Sequence, residues 1–363
     1  MSKQTALHND HVRLGARMVP FGGFEMPIQY SSILKEHDAV RHRAGLFDLS
    51  HMGQFWLRGD DVAAWADGLT INAVATMKPL QARYNIFCNA SGGAHDDTIF
   101  YRLDDAWLLV VNASNAEKMW AHLNARLPAS GVTLQNEHGN AALIAIQGPK
   151  SVEMMQPHAD VDLAGMRYYF CTRGNVNGVP AIIARTGYTG EDGFELFVDG
   201  ERAPELWNAL LEAHLDDGLE PCGLGARDVL RLEAGMPLYG HELTEEITPV
   251  QAGQTWALKM NKPAFIGKEA LSAQLERDDY ARIVGLVMSG RVPAREGYAV
   301  LQDGRRVGEV RSGSIAPSVG NQNVGTALVE RHAAADGTKL QVEIRGTAHD
   351  ATVTALPFYK RPK

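Results

Sequence analysis

Hydrophobic and polar residues alternate with two different periods along the first 270 positions. Apolar residues four apart, such as Met119, Leu123 and Leu127, predict amphipathic helices, whereas β-branched and aromatic runs between turns predict strands. The predicted helices span 33–44, 60–68, 115–127 and 203–219, and the predicted strands span 47–57, 82–89, 96–103, 107–113, 141–146, 168–172, 181–185 and 194–198. The first helix stops before Gly45, which is typical of a helix C-terminus. This part of the chain is expected to be mixed α and β.

The pattern changes near residue 275. A charged segment at 271–279 reads as a connector, and beyond it only short apolar runs separated by turns remain. These runs span 281–288, 298–310, 323–330, 337–346 and 349–356. Regularly spaced short strands of this kind predict an all-β barrel or sandwich of about 80 residues.

Composition limits the class of protein. The 363 residues carry a net charge of −8, which argues against a nucleic-acid binder because phosphate neutralisation needs clustered Lys and Arg. No apolar stretch approaches the ~18 residues of a membrane span, and the N-terminus lacks the apolar region of a signal peptide. Cys88, Cys171 and Cys222 are far apart and odd in number, so a reducing, cytoplasmic location is expected.

Several common catalytic motifs are missing. The chain has no phosphate-binding P-loop and no G-x-S-x-G elbow. The segment GLGARD at 223–228 lacks the final glycine of a dinucleotide fingerprint. His37 and His42 are five positions apart rather than the four of H-E-x-x-H, so no metal site is expected.

The segment RTGYTGEDGFEL at 185–196 contains the densest group of glycines. Three glycines in seven residues allow the backbone to approach a ligand closely, although a solvated hairpin explains the same pattern. Tyr188 offers an aromatic face, and Glu191, Asp192 and Glu195 offer acceptors. Because Glu195 lies between Phe194 and Leu196, its carboxylate is the one expected to enter a pocket and accept two parallel N–H donors.

Asp96 and Asp97 follow the turn Ser91-Gly92-Gly93. Either carboxylate could simply accept hydrogen bonds from turn amides. Alternatively, one of them faces inward, has an altered proton affinity and takes part in acid–base chemistry. Tyr84 lies in the preceding strand and is expected across the same hairpin.

The segment 223–243 combines glycines with two arginines four residues apart, Arg227 and Arg231. One interpretation is an anion or carboxylate contact at a helix start. The alternative is that Asp228 and Glu233 pair with these arginines. Met52, in FDLSHMGQ, reads either as core packing or as part of a ligand shelf.

Taken together, these segments resemble one family in the order of their motifs: FGGFEMPIQY, GLFDLSHMG, YNIFCNASGG followed by DD, VVNASNAEK, IAIQGPKS, RTGYTGEDGFEL, GLGARDVLRLEAGMPLYG and FIGKEAL. The family is that of the aminomethyltransferases, the T proteins of glycine cleavage systems. The resemblance extends from Asn9 to the region of Tyr359. It is specific because eight motifs occur in the same order.

The resemblance implies an α+β fold, a multi-domain cloverleaf of two mixed α/β lobes around a folate channel plus a C-terminal all-β barrel. Residues 1–275 would form the folate-binding region, with its two lobes divided near 140, and residues 280–363 the barrel. The implied substrate is an aminomethyl group on the lipoyl arm of the H protein, and tetrahydrofolate is the implied co-substrate. The implied products are ammonia and 5,10-methylenetetrahydrofolate.

The resemblance also assigns roles to residues. Asp97 matches the key acid, which would orient the folate and manage the proton that the attacking amine loses. Glu195 and Arg227 match pterin contacts, with Arg227 balancing the carboxylate charge. Further positions that match the surroundings of the folate are Tyr84, Asn112, Tyr188, Met52 and, near the variable C-terminal tail, Tyr359. The segment 251–271 departs from many relatives before its tryptophan, which leaves details of that loop open.

Other functions on the same scaffold remain as alternatives. A folate-dependent demethylase would differ only in the pocket beside the folate. The folate half of sarcosine or dimethylglycine oxidation would need a flavin domain, for which the chain has no expected room. A folate-binding scaffold protein of iron–sulfur assembly would carry K-G-C-Y-x-G-Q-E where this chain has FIGKEAL.

A group of basic residues near the C-terminal end is a further candidate for binding. The group consists of Arg291, Arg295, Lys360, Arg361 and Lys363. It would attract an anionic folate tail or an acidic carrier protein, although an ordinary solvated surface explains it equally well.

Overall fold

The computed structural model describes residues 2–290 and 292–362. Arg291 and Lys363, two members of the basic group, lie outside the described residues. The chain forms two compact units. The first contains the N-terminal segment to Ala66, Val74–Tyr84 and Thr98–Asp228, and the second contains Asp67–Ala73, Asn85–Asp97 and the chain from Val229 onwards.

The α-helices of the described residues are mostly short, with two to three turns. They are α1 (His8–Arg13), α2 (Ile33–His42), α3 (Val62–Leu69), α4 (Ala116–Asn124), α5 (Ser151–Met155), α6 (Ala203–Ala213), α7 (Leu224–Glu233) and α8 (Lys268–Arg277). None of them is long and apolar enough to cross a membrane.

The strands follow the same chain order. They are β1 (Lys3–Gln4), β2 (Arg17–Phe21), β3 (Phe24–Gln29), β4 (Ala44–Asp48), β5 (Gly53–Arg58), β6 (Ala82–Cys88), β7 (Ala94–Arg102), β8 (Trp107–Val111), β9 (Thr133–Asn136), β10 (Ala141–Gln147), β11 (Cys171–Val176), β12 (Val179–Ala184), β13 (Gly193–Asp199), β14 (Leu219–Cys222), β15 (Arg282–Met288), β16 (Ala299–Gln302), β17 (Arg305–Ala316), β18 (Gln322–Val329), β19 (Lys339–Ile344) and β20 (Thr347–Thr354).

The main sheet of the first unit has the strand order β11-β12-β13-β10-β4-β14. One face of it packs against α6, whose Leu206, Trp207 and Leu210 are fully buried. Phe194 and Leu196 of β13 belong to the same core. Because successive side chains of a strand point to opposite faces, Glu195 lies on the other face of the sheet.

Two further sheets complete the described strands of the N-terminal part. One has the order β6-β7-β8-β5-β9, and the other is a small sheet of β1, β3 and β2. The combination of helices and sheets agrees with the expected mixed α/β character of this part.

The C-terminal part is a closed barrel with the order β15-β18-β17-β16-β19-β20, and its neighbouring strands pair antiparallel. Its interior contains alternate residues such as Val300, Val310 and Val342, which are fully buried. The prediction of a C-terminal all-β barrel is confirmed. The charged segment at 271–279 is not a connector throughout, because α8 extends to Arg277.

Several local predictions differ from the structure, among them the strand predicted at 168–172, which begins only at Cys171. The predicted strand at 47–57 is two strands, β4 and β5, because the carboxylate of Asp48 accepts a hydrogen bond from the backbone N–H of Ser50 (2.8 Å) and starts a turn. Gly45 does not follow a helix but lies inside β4, where a Cβ would meet Val40 and Cys222 at about 2.5 Å. The helix predicted at 203–219 ends at Ala213, and Leu219 already begins β14.

Candidate functional site

Glu195 occupies a buried strand position with small neighbours. It lies in the middle of β13, opposite Ala145 of β10 and Ala184 of β12. Both alanines are fully buried, and Glu195 itself is 7% exposed. Methyl groups on both neighbouring strands leave room for a carboxylate on this face of the sheet.

Two hydroxyl groups hold the carboxylate of Glu195. The hydroxyl of Tyr101, from β7, donates to Oε2 at 3.1 Å, and the hydroxyl of Thr186 donates to the same oxygen at a shorter distance. Burial first, and the charge of Glu195 second, raise the pKa of Tyr101 well above its usual value, so this hydroxyl keeps its proton. Among the described residues, no donor reaches Oε1 of Glu195.

The other two acids of the 185–196 segment are already engaged by arginines. Asp192 forms a bidentate pair with Arg185, with distances of 3.0 and 2.5 Å. Glu191 is buried and paired with Arg41 (2.8 Å). Of the three acids that the sequence offered as acceptors for a ligand, only Glu195 has no arginine partner among the residues that the structure describes.

Tyr188 and Arg227 come together in the first unit. The guanidinium of Arg227, at the start of α7, lies 4.6 Å from the centroid of the Tyr188 ring, a cation–π contact. Burial lowers the pKa of Arg227, and the charges of Tyr188 and Glu195 act in the opposite direction. The charge of Glu195 thus acts on Arg227, but the two form no ion pair within the described part of the chain.

An anion does lie at the start of α7, and it is supplied by the protein. The carboxylate of Glu36 accepts the backbone N–H of Gly223 through Oε2 (2.9 Å) and those of Tyr30 and Ser31 through Oε1. Burial raises the pKa of Glu36 despite these donors. The expected carboxylate contact at this helix start is therefore present, and Glu36 of the chain itself supplies it.

Arg231 and Glu233 have partners outside the 223–233 segment. Arg231 pairs with Glu242 (3.0 Å), and both side chains are buried. Glu233 accepts hydrogen bonds from the backbone N–H (2.9 Å) and the hydroxyl (2.6 Å) of Ser318. These contacts belong to the second unit.

His51 is a feature of the first unit that the sequence did not single out. It precedes Met52, is 2% exposed, and its Nδ1 has no hydrogen-bond partner among the described residues. Burial lowers its pKa to about 4, with Arg227 contributing in the same direction and Asp48 opposing. Its position in FDLSHMG, beside a predicted ligand shelf, was the only available signal.

For the other predicted residues of the first unit, the structure gives mainly their burial and their position in the fold. Met52 and Asn112 are partly buried in the first unit, and Asn112 follows β8, where its carbonyl accepts the backbone N–H of Asn115 (3.0 Å). Tyr84 is partly buried in β6.

Asp97 and Tyr359 belong to the second unit. Asp97 is partly buried in β7, whereas the neighbouring Asp96 is fully buried. The backbone N–H of Tyr359 donates to the carbonyl of Glu233 (2.8 Å), which ties the C-terminal tail to α7. In the described residues no three His, Cys, Asp or Glu side chains are grouped as a metal site requires.

Comparisons with known proteins agree on one family. Residues 7–262 match the family model described as the GCVT N-terminal domain, and residues 282–360 match the glycine cleavage T-protein C-terminal barrel domain. The chain is 48% identical to the aminomethyltransferase of Deinococcus deserti, over 99% of this chain and 98% of that protein. It is 45% identical to the aminomethyltransferase of Geobacillus kaustophilus over the full length of both.

A solved structure gives the same result. The crystal structure of glycine cleavage system aminomethyltransferase T from Bartonella henselae superimposes with a TM-score of 0.93. Its sequence is 32% identical to this chain, and the match covers 99% of both chains.

Proposed function

This chain belongs to the glycine cleavage T-protein family and is an aminomethyltransferase, and from that premise we propose its reaction and its site. The chain transfers the one-carbon unit of the S-aminomethyl-dihydrolipoyl H protein to tetrahydrofolate. Ammonia and 5,10-methylenetetrahydrofolate are released. The lipoylated H protein and the folate are its partners, and the cytoplasm is its location, which the three buried free thiols favour.

The observation that carries the proposal is the state of Glu195. A buried carboxylate is costly unless hydrogen bonds and opposite charge compensate it. Here one oxygen receives two hydroxyl donors, and the other receives none from the described residues. The amino-pyrimidine edge of a pterin carries N–H donors. The unoccupied carboxylate oxygen of Glu195 is an acceptor, so it fits the pterin of a folate.

Other predicted residues supply the rest of the binding site in this proposal. Tyr188, stacked on Arg227, presents an aromatic face of the kind that covers a planar heterocycle. Arg227 offsets the charge of Glu195 through space. Met52, Tyr84, Asn112 and Tyr359 are proposed to line the remainder of the folate site.

Asp97 is the proposed catalytic residue. When bound, tetrahydrofolate supplies a nucleophilic amine, and that amine must lose a proton as it bonds to carbon. Asp97 is partly buried and Asp96 is fully buried, so Asp97 is the more exposed residue of the pair. We assign proton acceptance and orientation of the amine to Asp97.

The domain division remains part of the proposal. It comprises a folate-binding region at 1–275, divided near 140, and a barrel at 280–363.

One assay tests the function directly. The protein is mixed with aminomethylated lipoyl H protein, with and without tetrahydrofolate, and ammonia and methylenetetrahydrofolate are measured. Stoichiometric formation of both products, dependent on folate, is expected. Ammonia release that folate does not stimulate would contradict the proposal.

A further inference from the structure

The two hydroxyl donors on Glu195 converge on one oxygen rather than on both. Oε2 receives the hydroxyls of Tyr101 (3.1 Å) and Thr186, while Oε1 receives no donor from the described residues. A carboxylate oxygen has two lone pairs in the plane of the group, so two donors saturate Oε2. The sequence predicted that Glu195 accepts two parallel N–H donors, a geometry that needs both oxygens.

Both hydroxyls belong to buried residues. Tyr101 is 1% exposed, and its ring packs edge-on against Phe197 with 5.0 Å between centroids. Thr186 is also 1% exposed, and its carbonyl accepts the side-chain amide of Gln147 (3.0 Å). Both side chains are therefore enclosed by protein.

We propose that Tyr101 and Thr186 are positioning residues that commit Oε2 of Glu195 to the protein, so that the pterin's N–H donors are received by Oε1 alone. The inference rests on the proposed folate site at Glu195. In addition, the carboxylate of Glu195 accepts the ligand's hydrogen bonds through one oxygen only, and its orientation is set before the ligand binds. Binding of the ligand then requires no ordering of this side chain, which is the advantage of preorganisation.

Two nearly isosteric substitutions remove the hydroxyls. Tyr101→Phe and Thr186→Val leave the rings and methyl groups in place but free the carboxylate to rotate. The dissociation constant of tetrahydrofolate, followed by fluorescence without H protein, and the KM for folate are expected to rise roughly 10-fold in each variant. The kcat at saturating folate is expected to stay within about 2-fold of wild type, because the bound carboxylate reaches the same position.

A matched pair of controls comes from another buried cluster. The hydroxyl of Thr5 donates to Asp48 (2.7 Å), and the hydroxyl of Tyr30 bonds with His11 (2.8 Å). Thr5→Val and Tyr30→Phe therefore remove hydroxyls of the same types from buried hydrogen bonds that do not involve Glu195. These controls are expected to lose thermal stability comparably while the dissociation constant for folate is unchanged.

The Glu195→Gln variant separates the inference from the function on which it depends. If Glu195→Gln weakens folate binding but Tyr101→Phe and Thr186→Val do not, the positioning role is wrong and the folate site stands. If Glu195→Gln binds folate as tightly as wild type, the proposed site itself is wrong.

A crystal structure of the wild-type protein with tetrahydrofolate provides a readout that does not depend on folding of any variant. It is expected to show Oε1 within 3.2 Å of a pterin nitrogen, with both hydroxyls still on Oε2. Pterin nitrogens on both carboxylate oxygens, with the hydroxyls displaced, would overturn the inference.

Discussion

At the residue scale, buried glutamates differ in function according to the groups that donate hydrogen bonds to them. Glu191 is buried against the guanidinium of Arg41, and Glu36 is buried against three backbone N–H groups. Glu195 is buried with only one oxygen occupied. A buried carboxylate with an unused oxygen and no ion pair is suited to a ligand, whereas one that is neutralised by an arginine or occupied on both oxygens is structural.

Asp97→Asn tests the chemical role of the proposed catalytic residue. The amide retains size and polarity but cannot accept a proton, so kcat is expected to fall by about 10²-fold or more, with the dissociation constant for tetrahydrofolate within a few-fold of wild type. Rapid-quench measurement of methylenetetrahydrofolate and fluorescence titration give the two values. Equal losses in turnover and binding would leave Asp97 as a positioning group.

At the element scale, the glycines of the 185–196 segment are required by the protein's own packing. A Cβ on Gly193 would lie 2.4 Å from the carbonyl oxygen of Ile146 and 2.6 Å from the side chain of Gln147. Gln147 in turn holds the segment, because it accepts the hydroxyl of Thr189 (3.1 Å) and donates to the carbonyl of Thr186. Close backbone approach therefore serves strand and loop packing at Gly193.

Gly193→Ala is expected to destabilise the protein by about 3 kcal/mol, because the backbone of β10 cannot move away from the new methyl group without losing ladder hydrogen bonds. Gly68→Ala is the matched control. A Cβ at Gly68, within α3, meets no atom within 4 Å, so alanine is expected to be neutral or slightly stabilising. Urea denaturation measures both, and equal midpoints for the two variants would contradict the packing argument.

At the scale of the whole molecule, buried ionisable groups make stability depend on pH. His51 is the clearest case, because its pKa is lowered to about 4 in the folded protein from 6.5. The unfolded chain then binds more protons than the folded one between these values, so the free energy of unfolding decreases as the pH falls from 6.5 towards 4.

The contribution of His51 to this loss is about 3 kcal/mol at pH 4. It is expected to disappear in His51→Gln, which cannot titrate. The free energy of unfolding of both proteins, measured in urea between pH 4 and 7, gives the two slopes. Identical slopes would show that His51 is not protected from protonation in the folded state.

Elements that are determined by the local sequence pattern could be predicted, whereas features that depend on contacts with distant segments could not. The short strands beyond 281 were predicted because apolar and polar positions alternate with the period of a strand. The helix over 203–213 was predicted from its apolar face, but its end was not, because Leu219 belongs to β14 through pairing with Ala44, far away in the chain. The division of 47–57 into two strands was missed because both halves have the same local pattern.

For the site, the order of eight motifs along the sequence determined the family and named Glu195, Arg227 and Tyr188 as candidates. Only the tertiary structure decided that Glu191 and Asp192 are occupied by arginines, that Glu36 fills the start of α7, and that Oε2 of Glu195 is taken by Tyr101 and Thr186. The physical reason is common to all three. Residue type sets which hydrogen bonds a side chain can make, but partners distant in sequence use up those bonds, and only the fold brings them together.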